Sequence, residues 1–361
     1  MFVDNLYMKF IEVSSLIFFS FLKITLANQP VHQPIVQLAD QQLSQQTVRL
    51  RLFANLSTFP VIPKARVHAV SDSIWIVEGL NLFFNEKKLA TKNFILKKLD
   101  DKFDIISVFD FNSYIAGVIS KEMPLTWPLE ALKAQAVVAR SYALAKINER
   151  QNKAFHLDTN QMDQVFAPTN SDKAKLAVFL TDNIVLKDRK NKILKAFYHA
   201  DCGGQTVPAS KVWAGAVDSG TAIDPWCELR KSNEWTFETS RDNFNSKLLN
   251  TNPIVVEEKF KGRIQSFRML DEVISVQNLR QIFGFAEIKN SPLQYMETAN
   301  QILLKGKGFG HGVGLCQWGA LAQARLGRSY TQILSHYYPE AQLSENKLRL
   351  SKSFMADLVF N

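Results

Sequence analysis

The body of this 361-residue chain is defined first by what it does not contain. Beyond the N-terminus no segment approaches the roughly 18 uninterrupted apolar residues of a membrane-spanning helix, which leaves a soluble body. No long basic run and no nucleic-acid-binding motif is present. Nucleic acid therefore ranks last among the anionic partners that a net charge of +9 and a pI near 9.3 favour; cell-wall polymer and membrane surface remain. Internal repeats and heptads are missing. Cysteine is scarce, with 3 residues, an odd count that no set of internal disulfides exhausts. What is present, 46% hydrophobic and 21% charged residues, suits a globular chain with a sizeable core, in one large or two modest domains.

The N-terminus, "MFVDNLYMKFIEVSSLIFFSFLKITLANQP", is apolar or small from Ser14 to Leu22 and is then interrupted by Lys23. Thr25-Leu26-Ala27 resembles a small-residue cleavage site. The apolar part is too short to cross a bilayer, so residues 1–27 read as a secretory signal, with an uncleaved anchor as the rival. Export to the periplasm or cell envelope follows, with membrane contact confined to this segment. Residues 28–46, rich in Gln and Pro, read as a linker.

Short strands are predicted at Thr47–Phe53, Ser73–Gly79 and Asn93–Leu99, giving a β-rich part over 47–103. "FDIISVFDFNSYIAGVIS" reads as a strand running into a short helix, and a long helix is predicted from Thr126 or Pro128 to about Arg150. Lys192–Gly204 reads as a strand ending in a glycine turn, and residues 230–305 carry weaker, mixed signals. Helices are predicted around Cys316 and over Thr331–Pro339, and residues 343–361 form a tail. Strands and helices do not alternate regularly, so the fold class is α+β.

The stretch "VISKEMPLTWPLEALKAQAVVARSYAL" raises a question of charge. Lys133 and Arg140 lie seven residues apart, hence on one otherwise apolar helix face, and Glu122 stands at the helix entrance. Two readings stay open. Glu122 pairs with Lys133 or Arg140, because an unpaired buried charge is costly. Or Glu122 is a general acid whose proton is retained among Met123, Pro124 and Trp127.

The segment "KGKGFGHGVGLCQWGALAQARLGRSY" invites a phosphate reading that its spacing refuses, since it holds neither G-x-G-x-x-G nor a Walker lysine followed by Ser or Thr. Alternate glycines instead allow tight turning and close approach to a ligand or another strand. His311 and Gln317 read equally as binding residues or as scaffold. Trp318 reads as core before sugar platform, and Tyr337 and Tyr338 are ambiguous. The cysteines admit three readings: a Cys202–Cys227 disulfide leaving Cys316 free; zinc held by His199, Cys202 and Cys227 with Cys316 or water as fourth ligand; or plain reduced core thiols. No cofactor is called for outside the zinc reading.

Three blocks in order, "YIAGVISKEMPLTWPLEALKAQAVVARSYAL", "FYHADCGGQTVPASKVWAG" and "GFGHGVGLCQWGALAQARLGRSYTQILSHYYP", resemble the stage II sporulation protein D family (SpoIID/LytB). The resemblance covers roughly 104–342 well and 47–103 loosely. It implies an exported lytic transglycosylase that cleaves the β-1,4 bond after N-acetylmuramic acid in peptide-stripped glycan strands and leaves a 1,6-anhydro end. Glu122 falls on the family's catalytic glutamate. Lys133 and Arg140 fall on its helix cations; with His311, Gln317 and Tyr338, taken from the reading of the residues above, they form the expected glycan-binding set. The rival is a non-catalytic glycan-binding enhancer of a cell-wall amidase; a metal-dependent amidase comes third. The His/Cys metal cluster that some relatives carry after the long helix has no counterpart in "FHLDTNQMDQVFAP", which lacks cysteine.

Overall fold

The computed structural model describes residues 47–346 except 61–64, 80–82, 85–86, 89–92, 161–162, 228–232 and 250–251. The expected signal or anchor over 1–27 and the linker over 28–46 lie outside the described residues. No helix among the described residues is long and apolar enough to cross a membrane.

A six-stranded sheet opens the described chain. Its strands are β1 (Thr47–Leu56), β2 (Arg66–Ser71), β3 (Ile74–Glu78), β4 (Asn93–Leu99), β5 (Lys102–Asp110) and β6 (Leu157–Asp158), in the spatial order β2-β3-β4-β5-β1-β6. β1 pairs antiparallel with β5, Val48 facing Phe109 and Leu50 facing Ser107, and Val48 and Leu50 turn into the core. The boundary expected at 103/104 falls inside β5. β1 and the helices after it thus share one core, which includes Leu50, Ile115, Val137 and Leu157, while Val77, Phe94, Leu96 and Ile105 form a separate cluster across β3, β4 and β5.

β5 runs straight into α1 (Phe111–Glu122), where the Asp110 carboxylate accepts the Ser113 amide at 2.8 Å and caps the new helix. Pro124 follows, Trp127 N–H closes a turn on its carbonyl at 3.0 Å, and α2 begins directly after Pro128. α2 (Leu129–Glu149) is buried on nearly every side, with Ala131 to Ala145 meeting α1, α3 (Asp172–Phe179) and β7 (Ile184–Lys187). Its run of alanines lets these neighbours approach closely.

After β8 (Tyr198–His199) and a 3₁₀ turn at Ala209–Lys211, residues 234–307 build a second core. It holds one sheet of β9 (Glu234–Ser240), β13 (Gln294–Glu297) and β14 (Gln301–Lys307), and another of β10 (Val255–Phe260), β11 (Arg263–Met269) and β12 (Glu272–Ser275). Helices α4 (Arg241–Leu248) and α5 (Val276–Phe283) accompany them. In β9 the alternation of "EWTFETS" turns Trp235 and Phe237 inward, where Phe237, Phe244 and Phe283 meet edge-on or stacked.

The chain then returns to the first core through β15 (Leu315–Cys316), α6 (Gln317–Arg325), α7 (Tyr330–Tyr337) and β16 (Gln342–Glu345). The expected tail from 343 is corrected: Leu343 to Glu345 pair antiparallel with β7. The expected strand over Lys192–Gly204 shortens to β8, because the chain there follows the glycine loop instead of a sheet neighbour. The fold is α+β, as read from the sequence.

Candidate active site

Gly308, Gly310, Gly312 and Gly314 all take positive φ, from 69° to 111°. A Cβ on Gly314 would sit 2.1 Å from the Phe197 carbonyl, and one on Gly310 would sit 2.7 Å from the His199 side chain. The glycines therefore let the loop lie directly against the chain around β8, and β8 pairs parallel with β15 (Tyr198 with Leu315, His199 with Cys316). This contact brings residues far apart in sequence to one cleft of about 900 Å³. Glu122 comes from the end of α1, Tyr142 and Lys146 from α2, Tyr198 from β8, His311 from the glycine loop and Gln317 from the start of α6.

Glu122 is the centre of that cleft. Its Oε1 accepts the Val165 amide and the Tyr198 hydroxyl, each at 3.1 Å, and the Gln317 side chain also donates to the carboxylate. Burial pushes the carboxyl above the usual glutamate range, and these three donors pull it partly back. The other carboxylates lining the cleft among the described residues are held elsewhere. Asp163 is bound by Lys146 at 2.8 Å and Arg150 at 3.4 Å, and accepts the Tyr142 hydroxyl at 3.0 Å. Glu149 pairs with Lys195, and Asp188 accepts the backbone amides of Lys190 and Lys192.

The cleft wall is aromatic. Trp213 stacks on Phe197 with centroids 4.2 Å apart and meets His311 edge-on at 4.9 Å. His311 Nδ1 accepts the Val313 amide at 3.0 Å. Burial holds its imidazole well below the ordinary histidine range, so the ring is neutral near pH 7, and its one N–H is held by the Tyr198 backbone. His199 lies 5.4 Å from it, held down to about 4 by burial.

The glycan-binding set expected from the sequence is split by the fold. His311 and Gln317 line the cleft; Lys133, Arg140 and Tyr338 do not. Arg140 is 2% exposed, and its guanidinium donates to the carbonyls of Thr181 (2.7 Å), Ile184 (3.0 Å) and Val178 (3.2 Å). It ties the end of α3 and the start of β7 to α2. Lys133 pairs with Glu130 at 2.7 Å and sits 4.6 Å over the Tyr330 ring. Glu130 in turn accepts the Tyr330 amide, which fixes α7 against α2. The Tyr338 hydroxyl donates to the Phe197 carbonyl and accepts the Leu315 amide, bracing the β8–β15 contact from below. The ion pair considered for Glu122 is likewise corrected: Lys133 is taken by Glu130 and Arg140 by backbone carbonyls, and neither lines the cleft.

Trp318 packs on Trp127 with centroids 5.2 Å apart, as the core reading expected. Trp213, half-buried, is the tryptophan that lines the cleft. Tyr198 and Trp213 stand in the second quoted block, "FYHADCGGQTVPASKVWAG", yet no local pattern marks them as facing the cleft. Their placement depends on the glycine loop.

The cysteines are three buried free thiols, so the Cys202–Cys227 disulfide is corrected. His199 is no partner of theirs: its Nδ1 lies 3.0 Å from the Val313 carbonyl. In its place the fold brings Asp224, and the ligating atoms of Cys202, Asp224, Cys227 and Cys316 all lie within 4.8 Å of one another.

Comparison with known proteins agrees with the resemblance read from the three blocks. Residues 99–187, a span that includes Glu122, match the SpoIID family, described as Stage II sporulation protein. The chain is 29% identical over 274 residues to an uncharacterised protein of Brachyspira hyodysenteriae, covering 72% of this chain and 73% of that one. It is 29% identical over 259 residues to Stage II sporulation protein D of Bacillus amyloliquefaciens, covering 66% and 75%. It is 25% identical over 295 residues to the Amidase enhancer of Bacillus subtilis, covering 64% of this chain and 40% of that protein.

Proposed function

We propose that this chain, similar over two thirds of its length to Stage II sporulation protein D, acts on the bacterial cell wall as a lytic transglycosylase with Glu122 as its general acid and base. The substrate is the glycan strand of peptidoglycan, stripped of stem peptides, and the bond cleaved is the β-1,4 link after N-acetylmuramic acid. The catalytic region is 104–342, and the exported chain works in the periplasm or envelope.

The observation that carries this reading is one carboxyl group in the cleft, raised by burial, with every other lining carboxylate among the described residues already bound. A hydrolytic glycosidase uses two carboxyl groups, one as acid and one as base or nucleophile. A transglycosylase needs one. Glu122 gives its proton to the glycosidic oxygen as the bond from C1 breaks. The resulting carboxylate takes the proton of the 6-hydroxyl while that oxygen bonds to C1, closing the anhydro ring. The proton count returns to its start and no water is consumed. Tyr198, Val165 and Gln317 hold the carboxyl in place and stabilise the anionic half of the cycle. Trp213 offers a stacking face to the sugar, and His311 meets the Trp213 ring edge-on.

The name of the Bacillus subtilis relative supports a second reading, a glycan-binding enhancer of a cell-wall amidase that uses the same cleft without cleaving. Incubation of the pure protein with amidase-treated peptidoglycan, followed by mass spectrometry, separates the two. Anhydro-muramyl ends should form with the wild type and fall by a factor of roughly 10² to 10⁴ in Glu122→Gln. Equal binding by both proteins with no anhydro product from either would leave the enhancer reading in its place.

A further inference from the structure

The strongest unexplained feature lies beneath the cleft wall. We propose that Cys202, Asp224, Cys227 and Cys316 form a closed, four-coordinate site for a thiophilic divalent cation, zinc by ligand chemistry, and that this site fixes the entrance of α6.

The geometry suits a single ion. Zinc with thiolate and carboxylate ligands is tetrahedral, with bonds of about 2.0–2.3 Å, so its ligand atoms stand about 3.3–3.8 Å apart. Here Cys227 Sγ and Cys316 Sγ are 3.6 Å apart, and Cys202 Sγ lies 3.3 Å from Asp224 Oδ2. All four residues are fully buried, each at 0% exposure. Three sulfurs and a carboxylate thus meet in a space closed to solvent, where Cys227 Sγ also lies 2.8 Å from Asp201 Oδ1. The nearby cation, Arg263, is turned to the backbone, its Nη2 donating to the carbonyls of Cys202 (2.7 Å) and Gly203 (2.9 Å).

The surroundings are those of a ligand set. Cys316 Sγ receives the amides of Cys202 at 3.3 Å and Gly319 at 3.4 Å, contacts that a thiolate accepts well. Asp224 is steered from both sides, by the Cys227 amide on Oδ1 at 3.0 Å and the Tyr337 hydroxyl on Oδ2 at 2.6 Å. Gly319 leaves room for this: a Cβ there would fall 2.2 Å from Asp224 Oδ2 and 1.9 Å from the Tyr337 hydroxyl. A disulfide would use two sulfurs and leave the third thiol against Asp224. A sulfur-rich set of this kind selects zinc over magnesium or calcium.

All four positions belong to the protein, and none of the four residues lines the cleft. The ion therefore has no open coordination position for water or substrate, and its role is structural. It would join three segments: the chain after β8, the turn at 224–227 and the residue that caps α6. Cys316 directly precedes Gln317, a donor to Glu122, so the ion holds one wall of the cleft in register.

The test uses the full chain, purified under reducing conditions without chelator. About one zinc per chain is expected by elemental mass spectrometry. After replacement by cobalt, thiolate-to-metal charge-transfer bands and the visible absorption of tetrahedral cobalt are expected. The double variant Cys227→Ser, Cys316→Ser should bind neither metal. Should that variant not fold, the wild type decides: its three thiols should resist a thiol reagent until a chelator is added. Failure of both metals to bind the reduced wild type overturns the proposal, as does a disulfide between any two of the three in protein recovered from its compartment. Neither readout involves glycan, so a negative result here is distinct from failure of the transglycosylase reading.

Discussion

The protonation of Glu122 is set by the imbalance between burial and its hydrogen-bond donors. Burial favours the protonated carboxyl, while the Tyr198 hydroxyl, the Val165 amide and Gln317 favour the carboxylate. Removing one donor therefore raises the pKa further. A general acid works only while protonated, so the alkaline limb of the rate marks that pKa. Tyr198→Phe should shift the alkaline limb of the kcat–pH profile upward by about one unit, since a hydrogen bond to a charged group is worth about 1.5 kcal/mol and about 1.4 kcal/mol equals one unit. Anhydro-product formation measured across pH checks this. A limb that stays in place would mean that Tyr198 does not bear on the acid.

Among the helices, α2 is a structural spine whose Lys133 and Arg140 lie outside the cleft, while its later residues Tyr142 and Lys146 line it. Arg140 closes three carbonyls at the α3–β7 junction, and burial lowers its guanidinium to about 10, which keeps it charged at neutral pH. Arg140→Ala would remove a charged donor shared by those carbonyls and leave a void within the core. We expect a loss of about 3–5 kcal/mol in urea unfolding, with the activity of the remaining folded protein nearly unchanged. A substrate contact would behave the other way, losing kcat/KM at constant stability. α1 carries a comparable constraint at Gly117, where a Cβ would lie 2.5 Å from the Phe166 ring and 2.6 Å from the Ala167 carbonyl. That close approach brings the chain bearing Val165 within reach of Glu122.

Over the whole molecule, the cleft draws walls from both cores. Gln277, Arg280 and Phe285 come from the second core, and Arg263 ties that core to the carbonyls of Cys202 and Gly203. The whole chain carries a net charge of +9, and a peptide-stripped glycan bears a lactyl carboxylate on each muramic acid. Long-range attraction of that kind is screened beyond about 8 Å at physiological salt. Raising salt from about 0.05 to 0.5 M should therefore increase KM severalfold while kcat holds. A salt-independent KM would show that net charge plays no part in capture.

The strand-to-helix passage over 102–122, the proline-started α2 and the glycine loop could all be read in the sequence, because each follows from rules that act over a few residues. Three motif blocks likewise marked Glu122 by resemblance. The second core over 234–307 was faint in the sequence, since its short strands pair across many intervening residues and no local period announces them. Lys133 and Arg140 were correctly placed on one helix face, but periodicity does not say what that face meets. Only the packing of α3, β7 and α7 against α2 turned both cations away from Glu122. The same holds for the cysteines: spacing suggested a pair or a histidine ligand, whereas the β8–β15 contact brought Cys316 and Asp224 to Cys202 and Cys227 and left His199 on a backbone carbonyl. Local chemistry fixed the elements, and long-range packing decided which side chains meet in the cleft.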